Sequence, residues 1–443
     1  MKNAKIVVDV KKTAEEIKPL HAVGGGPRQG GARLGYDFTK EFSEIGVPYA
    51  RLHDIEGEYA KNQFVDIHCV FPDFDADVND PAAYNFEPTD AYINAIHACG
   101  GKAFYRLGET IDHFERKLYV RAPKDFLKWA QICEHIILHY NHGWNNGFEL
   151  GIEYWEIWNE PDNPRMWTDT KEEFFELYVV TATYLKEKFP NIKIGGYAVS
   201  GFYAFNRADA SPWFKTLVPY LTGFFEYLKK QPKKVPLDFL SWHCYSESPE
   251  EVVLHSRYAE EFLQKYGYEE AENILDEYNT RDSLSICPSV IPYYAAEIGA
   301  TLIAAQDSPI DMLIYYDCRL HLMNGIFQLE GDYKTPRRLH AFYAMRAFGD
   351  LYRLKTRCSC EGMPKGVYAL AATDGEKTGV MLAVKDYKGE LEISVSNGGG
   401  KGYRLMESTY EQFEKNSEGA LDGNGAVQLC VQKDSVYYIE IEG

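Results

Sequence analysis

The sequence predicts a (β/α)8 TIM barrel followed by a C-terminal antiparallel β-sandwich domain that also takes in the N-terminal strand. Three observations carry that expectation. From about residue 20 to 350, short apolar runs of strand character alternate with amphipathic helical patterns, the mark of repeated βα units. The strand-like runs number eight, the count that closes a parallel barrel. Beyond residue 353 the helical period stops, and short β runs broken by Gly, Asp and Asn take over.

The elements follow in order. Ile6-Val7-Val8-Asp9-Val10 is a strand stranded before the barrel. A lone strand is unstable in water, so it is expected to join the C-terminal sheet, bringing the chain ends together. This divides the chain into 1–15 (N-terminal strand), 16–352 (barrel) and 353–443 (β domain). Barrel strands are expected at 20–24, 47–53, 102–107, 153–159, 192–197, 238–243, 273–277 and 312–317. Helices are expected at 122–139, 171–188, 212–230, 249–266 and 288–306, where apolar residues recur at three- and four-residue spacing. A doubly wound sheet fits less well, because the glycine run from Gly24 to Gly31 lacks the Gly-Lys-Ser/Thr ending of a phosphate loop. It reads as the first βα loop. Residues 54–88 make a long excursion after the second strand, well beyond ~12–15 residues, and are expected to wall a pocket. Asp73, Asp75, Asp77 and Asp80 within it lack EF-hand spacing and read as solvated turn acids. C-terminal strands are expected at 367–372, 380–384, 391–395, 427–431 and 436–441.

Composition narrows the function. Of 443 residues, 45% are hydrophobic and 26% charged, as in an ordinary globular protein. Forty-seven basic against 66 acidic residues give a net charge of −19, which repels nucleic acid and anionic membranes. The nine cysteines are odd in number and mostly set in apolar runs, so they read as reduced thiols. The N-terminal apolar stretch is too short for a signal peptide, and no run approaches the ~18 apolar residues of a membrane span. A cytoplasmic protein is expected.

The chemistry is concentrated at two strand ends. Trp155-Glu156-Ile157-Trp158-Asn159-Glu160-Pro161 delivers an amide and a carboxyl together, and the proline then turns the chain out of the sheet. Taken alone this is an ordinary strand-to-loop turn with an incidental acid. Ile274-Leu275-Asp276-Glu277-Tyr278-Asn279 is a second strand ending in an acid, three βα units of ~40 residues further on. Glu160 and Glu277 thus sit on the fourth and seventh strands and point into one mouth. Two carboxyls over a common cleft are the apparatus of glycoside hydrolysis, and retaining separation of about 5–5.5 Å is expected. An ionised Glu277 disfavours a second charge nearby, so Glu160 is expected to keep its proton to higher pH and to act as acid, then base. Asn159 is suited to the hydroxyl beside the anomeric carbon.

With Glu-Ile-Trp-Asn-Glu-Pro followed by a strand ending in Glu, the chain resembles the clan A glycoside hydrolases, and in detail family 39, the family of β-xylosidases and α-iduronidases. The resemblance covers the barrel and the order of the terminal β domain. It implies Glu160 as acid/base and Glu277 as nucleophile. Arg51-Leu52-His53 and His243-Cys244-Tyr245 also match: by that resemblance His53 lies in the sugar subsite, His243 contacts the sugar and Tyr245 hydrogen-bonds the nucleophile. The expected activity is retaining exo-hydrolysis of a terminal β-linked xylosyl residue of an oligosaccharide, without metal or organic cofactor. Galactoside, glucoside or arabinoside specificity and a non-catalytic carbohydrate-binding relative are the alternatives. Self-association is compatible with the resemblance.

Other candidates have plainer readings. Glu156 lies earlier on its strand and is expected to pair inside the barrel with Arg51 or Arg106. His139 and His142 read as solvent-exposed rather than zinc ligands. Glu297 falls in a helical pattern. Cys358 and Cys360 flank one residue of a strand and read as reduced neighbours. Glu109, His113 and Asp317 lie at the correct rim without an assigned role.

Overall fold

The computed structural model describes residues 4–26, 37–53, 64–111, 115–280, 292–318, 326–329, 331 and 335–442. His113, Cys287 and residues 27–31, 54–63 and 288–291 lie outside the described residues. Strand β1 (Ala4–Glu16) precedes the barrel. The barrel closes through β2 (Ala22–Gly24), β3 (Tyr49–Arg51), β4 (Lys102–Leu107), β5 (Tyr154–Ile157), β6 (Lys193–Val199), β7 (Phe239–Tyr245), β8 (Glu272–Asn279) and β9 (Met312–Tyr315). Each pairs in parallel with the next, and β9 returns to β2 through Ala22 opposite Ile314.

The connecting helices are α1 (Thr39–Ile45), α2 (Ile67–Val70), α3 (Glu87–Ala98), α4 (Phe126–His142), α5 (Lys171–Lys188), α6 (Phe214–Lys229), α7 (Pro249–Tyr266), α8 (Pro292–Ala305) and α9 (His340–Leu354). Their starts are written in the sequence. Thr170 and Glu173 form a reciprocal capping box on α5, and Ser248 caps α7 ahead of Pro249. The first two helices are too short to show a period. In α9 apolar residues cover most of the circumference, because the helix is packed between the barrel and the β domain. His139, expected to be exposed, is buried: its ring stacks on Phe86 at 3.7 Å, Nε2 lies 3.0 Å from Asp90 and Nδ1 2.9 Å from the Trp144 carbonyl. Only His142, at the end of that helix, faces solvent.

After a short hairpin, β10 (Phe327–Leu329) and β11 (Pro336–Arg338), the chain builds β12 (Thr356–Glu361), β13 (Val367–Thr373), β14 (Thr378–Val384), β15 (Gly389–Val395), β16 (Gly402–Thr409), β17 (Gln412–Ala420), β18 (Ala426–Val431) and β19 (Ser435–Ile441). With β1 they form one nine-stranded sheet in the order β17-β16-β19-β14-β13-β12-β1-β15-β18. The N-terminal strand therefore joins this sheet, but β19 lies on the far side of β12, β13 and β14 from it. Its pairing with β15 is parallel, so the sheet is mixed rather than purely antiparallel. No hairpin ties the direction of β1 to a neighbour, which leaves either sense open. Strands β16 and β17 escape a reading by periodicity: β17 is an edge strand of Gln, Glu, Lys and Asn, largely exposed along its length.

Strands β13, β14 and β19 are buried on both faces. Val380, Leu382, Val384, Tyr437 and Ile439 fill the domain's own core, while Leu370, Met381, Ala383, Val436 and Tyr438 join the barrel core through α8 and α9. Gly299 permits this approach, since a Cβ there would sit 3.1 Å from Ala383 Cβ and Met381 Cε. An ion pair between Glu297 of α8 and Lys385 after β14 spans the same seam.

Candidate active site

Period-two alternation builds the site in layers. Ala22, Phe104, Tyr154, Phe239, Ile274 and Met312 plug the barrel floor. Two residues along the strands, at the carboxyl side, stand Arg51, Arg106, Glu156, Ser241 and Asp276, all fully buried. Above them come His53, Asn159, Glu160, His243, Tyr245 and Glu277.

Glu160 follows β5 through a constrained turn. Trp158 has φ 73° and Glu160 φ 44°, conformations that side chains rarely adopt and that the surroundings must enforce. The Trp158 indole does so, donating to the Met166 carbonyl at 2.8 Å and lying edge-on to Trp167 at 5.0 Å. The Glu160 amide donates to Ala198 O at 3.2 Å, and Asn163 Nδ2 donates to its Oε2 at 2.8 Å.

Glu277 owes its position to a bulge. Trp242 pairs with Leu275 but His243 with Glu277, and the pairing to β9 shows the same extra residue, so Asp276 and Glu277 both face inward although they are adjacent. Arg51 organises what they meet. Its Nη1 donates to Glu277 Oε1 at 2.9 Å, Nη2 to Asn159 Oδ1 at 2.6 Å and Nε to Glu156 Oε2 at 2.8 Å, and Nη2 lies 2.9 Å from Asp276 Oδ2. The Tyr245 hydroxyl donates to Glu277 Oε2 at 3.0 Å, and His53 Nε2 lies 3.7 Å from Oε1. His243 bridges the two acids, with Nδ1 2.8 Å from Glu160 Oε1 and 3.4 Å from Glu277 Oε2. One oxygen of each carboxylate and a nitrogen of His243 all lie within 4.8 Å of one another. The six residues expected from the sequence therefore converge.

This constellation accompanies a specific sequence signature. The profile of the family described as glycosyl hydrolases family 39 matches residues 4–316. The chain belongs to that family. It is accordingly a glycoside hydrolase, and the retaining mechanism is typical of family 39. The chain is similar to a β-xylosidase of Geobacillus stearothermophilus, 27% identical over 378 residues that span 73% of this chain and 68% of the relative. Two solved structures share its fold. A glucosidase from Croceicoccus marinus matches with a TM-score of 0.79 at 22% identity over 100% of both chains. A monomeric β-xylosidase from Caulobacter crescentus matches with a TM-score of 0.69 at 17% identity over 99% of both.

The charges of this family 39 site differ from those expected of two carboxyls alone. Burial would raise Glu160, but the hydrogen bond and charge of His243, with the Asn163 donor, outweigh it and hold the carboxyl below its ordinary value. Burial would likewise neutralise His243, yet Glu277, Asp276 and Glu160 surround it and keep the ring protonated well above the usual histidine range. Glu277 is pushed up to about 7, first by burial and then by the charges of Glu160 and Asp276, against the pull of His243 and Arg51. The expected order of the two acids is thus reversed in the free enzyme, because a third charge lies between them.

Asp276 was not legible as a site residue, and Arg51 stood only within the matching Arg51-Leu52-His53 run and as a partner for Glu156. A further signal for Arg51 is a charge at an inward position of an apolar strand. Its pairing with Glu156 is as expected, and burial with repulsion from Asp276 pushes Glu156 up to about 8. At the rim, Glu109 pairs with His68, whose ring stacks on Tyr119 at 3.6 Å. Asp66, His68 and Glu109 offer atoms within 4.8 Å of each other, but Asp66 already accepts from Arg106 and Thr110, and Glu109 from His68. Asp317 is buried just beyond β9.

Proposed function

We propose that this enzyme removes terminal β-linked xylosyl residues from oligosaccharides by double displacement, with Glu277 as nucleophile and Glu160 as acid, then base. The observation that carries the reading is that one oxygen of Glu160 lies within 4.8 Å of one of Glu277, which is nearer the ~5–5.5 Å separation of a retaining pair than the ~6.5–9.5 Å of an inverting one. Arg51 and Tyr245 aim one donor at each Glu277 oxygen, stabilising the ionised form that attacks the anomeric carbon. Glu160 and His243 hold a proton across their 2.8 Å contact. The free enzyme keeps it on the imidazole, and its passage to Glu160 as the leaving oxygen approaches places it where the bond breaks. Asn159 presents its Oδ1 to Arg51, which leaves its amide hydrogens for the hydroxyl beside the anomeric carbon.

The xylosyl preference is supported by the Geobacillus relative's activity. A panel of nitrophenyl glycosides tests it, with β-xyloside expected to be turned over fastest. A faster glucoside would favour the glucosidase specificity named for the Croceicoccus structure, and binding without turnover of any member would favour a non-catalytic relative. NMR of the first-formed sugar should show the retained anomer, and a 2-deoxy-2-fluoro glycoside should label Glu277 in a peptide map. An inverted anomer, or a label elsewhere, refutes the scheme. In the same reading the enzyme works in the cytoplasm, where its eight described cysteines, all free, stay reduced. Light scattering reads whether it self-associates.

A further inference from the structure

Tyr245 is the last residue of β7, and its backbone is gripped from outside the barrel. The Arg207 Nη2 group donates to the Tyr245 carbonyl at 2.9 Å, and the Tyr245 amide donates to the Tyr203 hydroxyl at 2.8 Å. The guanidinium also lies over the Tyr203 ring, 4.3 Å from its centre. Arg207 is itself fixed by Glu251 in the first turn of α7: Nε to Oε1 and Nη2 to Oε2, both 2.7 Å, a two-point fork between side chains that are 12% and 14% exposed. Asn206 Nδ2 at 2.7 Å and Ser246 Oγ at 2.5 Å donate to the same carboxylate. Burial would raise Glu251, but these donors bring it down to about 2, so the fork stays charged at any working pH.

A bidentate pair between two connecting segments thus holds the strand end from which one hydroxyl reaches Glu277. We infer that Arg207, locked by Glu251, is a positioning residue that fixes Tyr245 against the nucleophile. The inference rests on the reading of Glu277 as nucleophile. Its physical content is that a rotation of the β7 terminus lengthens the 3.0 Å hydrogen bond to Glu277, and misplacement of this order can cost up to about 100-fold in rate.

The test is a cycle of Arg207→Met, Tyr245→Phe and the double variant, assayed on the nitrophenyl glycoside that the panel selects. Each single change is expected to lower kcat by about tenfold to 100-fold, with KM moving less than about threefold. The double variant should be no slower than Tyr245→Phe, because Arg207 acts through that hydroxyl. The acidic limb of kcat/KM should move to higher pH in Arg207→Met, since a carboxylate that loses a donor is easier to protonate. Among the described residues, the charged and titratable groups facing Glu277 are Arg51 of β3, His53 beyond it, Glu160 beyond β5, His243 and Tyr245 of β7, and Asp276 on its own strand. None is altered by the substitution. Multiplicative losses in the double variant, or an unmoved limb, would mark Arg207 as structural glue and overturn the inference.

Removing Arg207 alone leaves a buried carboxylate unpaired, so Arg207→Met/Glu251→Leu is made in parallel, losing both charges at once. It should fold and show the same loss, and full activity in it overturns the inference. If Tyr245→Phe is fully active, the reading of the Tyr245–Glu277 bond fails together with the inference. If Tyr245→Phe is slow while Arg207→Met is not, the inference alone fails.

Discussion

His243 Nδ1 lies 2.8 Å from Glu160 Oε1, so a buried imidazole and the acid at the end of β5 share one hydrogen bond. The contact decides which way Glu160 departs from its ordinary value, because burial and His243 pull in opposite directions. Replacing His243 with Phe removes the largest pull against burial and leaves the Asn163 donor in place, so the Glu160 carboxyl should titrate at higher pH than in the native enzyme. Infrared titration of glutamate-labelled protein reads this directly, and an unmoved carboxyl band would contradict it. Turnover should fall by about 10²-fold or more, the scale of a lost proton-transfer partner.

Glu160→Ala separates the two acids by leaving group. A phenolate of low basicity departs without protonation, whereas a sugar alkoxide needs the acid. The variant should keep much of its first-step rate on dinitrophenyl glycosides and lose about 10²–10⁴-fold on the corresponding oligosaccharide. Equal losses on both would remove Glu160 from the acid role. Competition kinetics with the two substrates makes the comparison.

Glu277 also links activity to stability. Burial, with Glu160 and Asp276, pushes it up to about 7 in the folded enzyme, against a carboxyl near 4.5 in the unfolded chain. The native state therefore binds this proton more tightly, and the stability it contributes is present below about pH 4.5 and lost as the pH rises through about 7, on the order of 3 kcal/mol in full. Glu277→Gln abolishes the dependence. It should melt several degrees above the native enzyme at pH 8, with the gap closing towards pH 4.5. Calorimetry at both values is the measurement, and a gap independent of pH would show that ionisation is not its source.

What could be read in the sequence follows from regular periodicity. The boundaries of β4, α5 and α7 coincide with their expected spans, and Glu160 and Glu277 meet because each stands at the carboxyl side of a strand of one barrel. Asp276 was hidden for the complementary reason: adjacent residues on a strand face opposite ways, and only the single-residue bulge in β8 turns both carboxyls inward. The charge order of the acids failed because it was argued from two groups, while His243, 83 positions from Glu160, supplies the deciding third. Arg207 lies in a connecting segment with no motif, and its role exists only through contacts with Tyr203, Tyr245 and Glu251.

Gly108 offers a test of the turn that presents Glu160. It has φ 145°, and a Cβ there would lie 3.0 Å from Trp158 Cε3 and 3.1 Å from Trp158 Cα. Trp158 cannot retreat easily: its amide donates to the Leu107 carbonyl at 2.7 Å, its indole to Met166, and its own φ is 73°. Gly108→Ala should therefore cost about 1–3 kcal/mol of stability and also displace Asn159 and Glu160, lowering kcat. Gly143→Ala is the matched control, since that glycine caps α4 at φ 69° with nothing within 4 Å of its would-be Cβ. It should cost about 1–2 kcal/mol through backbone strain alone and leave kcat unchanged. Denaturant unfolding gives the stabilities and steady-state assays give kcat; equal kcat for the two variants would show that the Gly108–Trp158 contact does not position the acid.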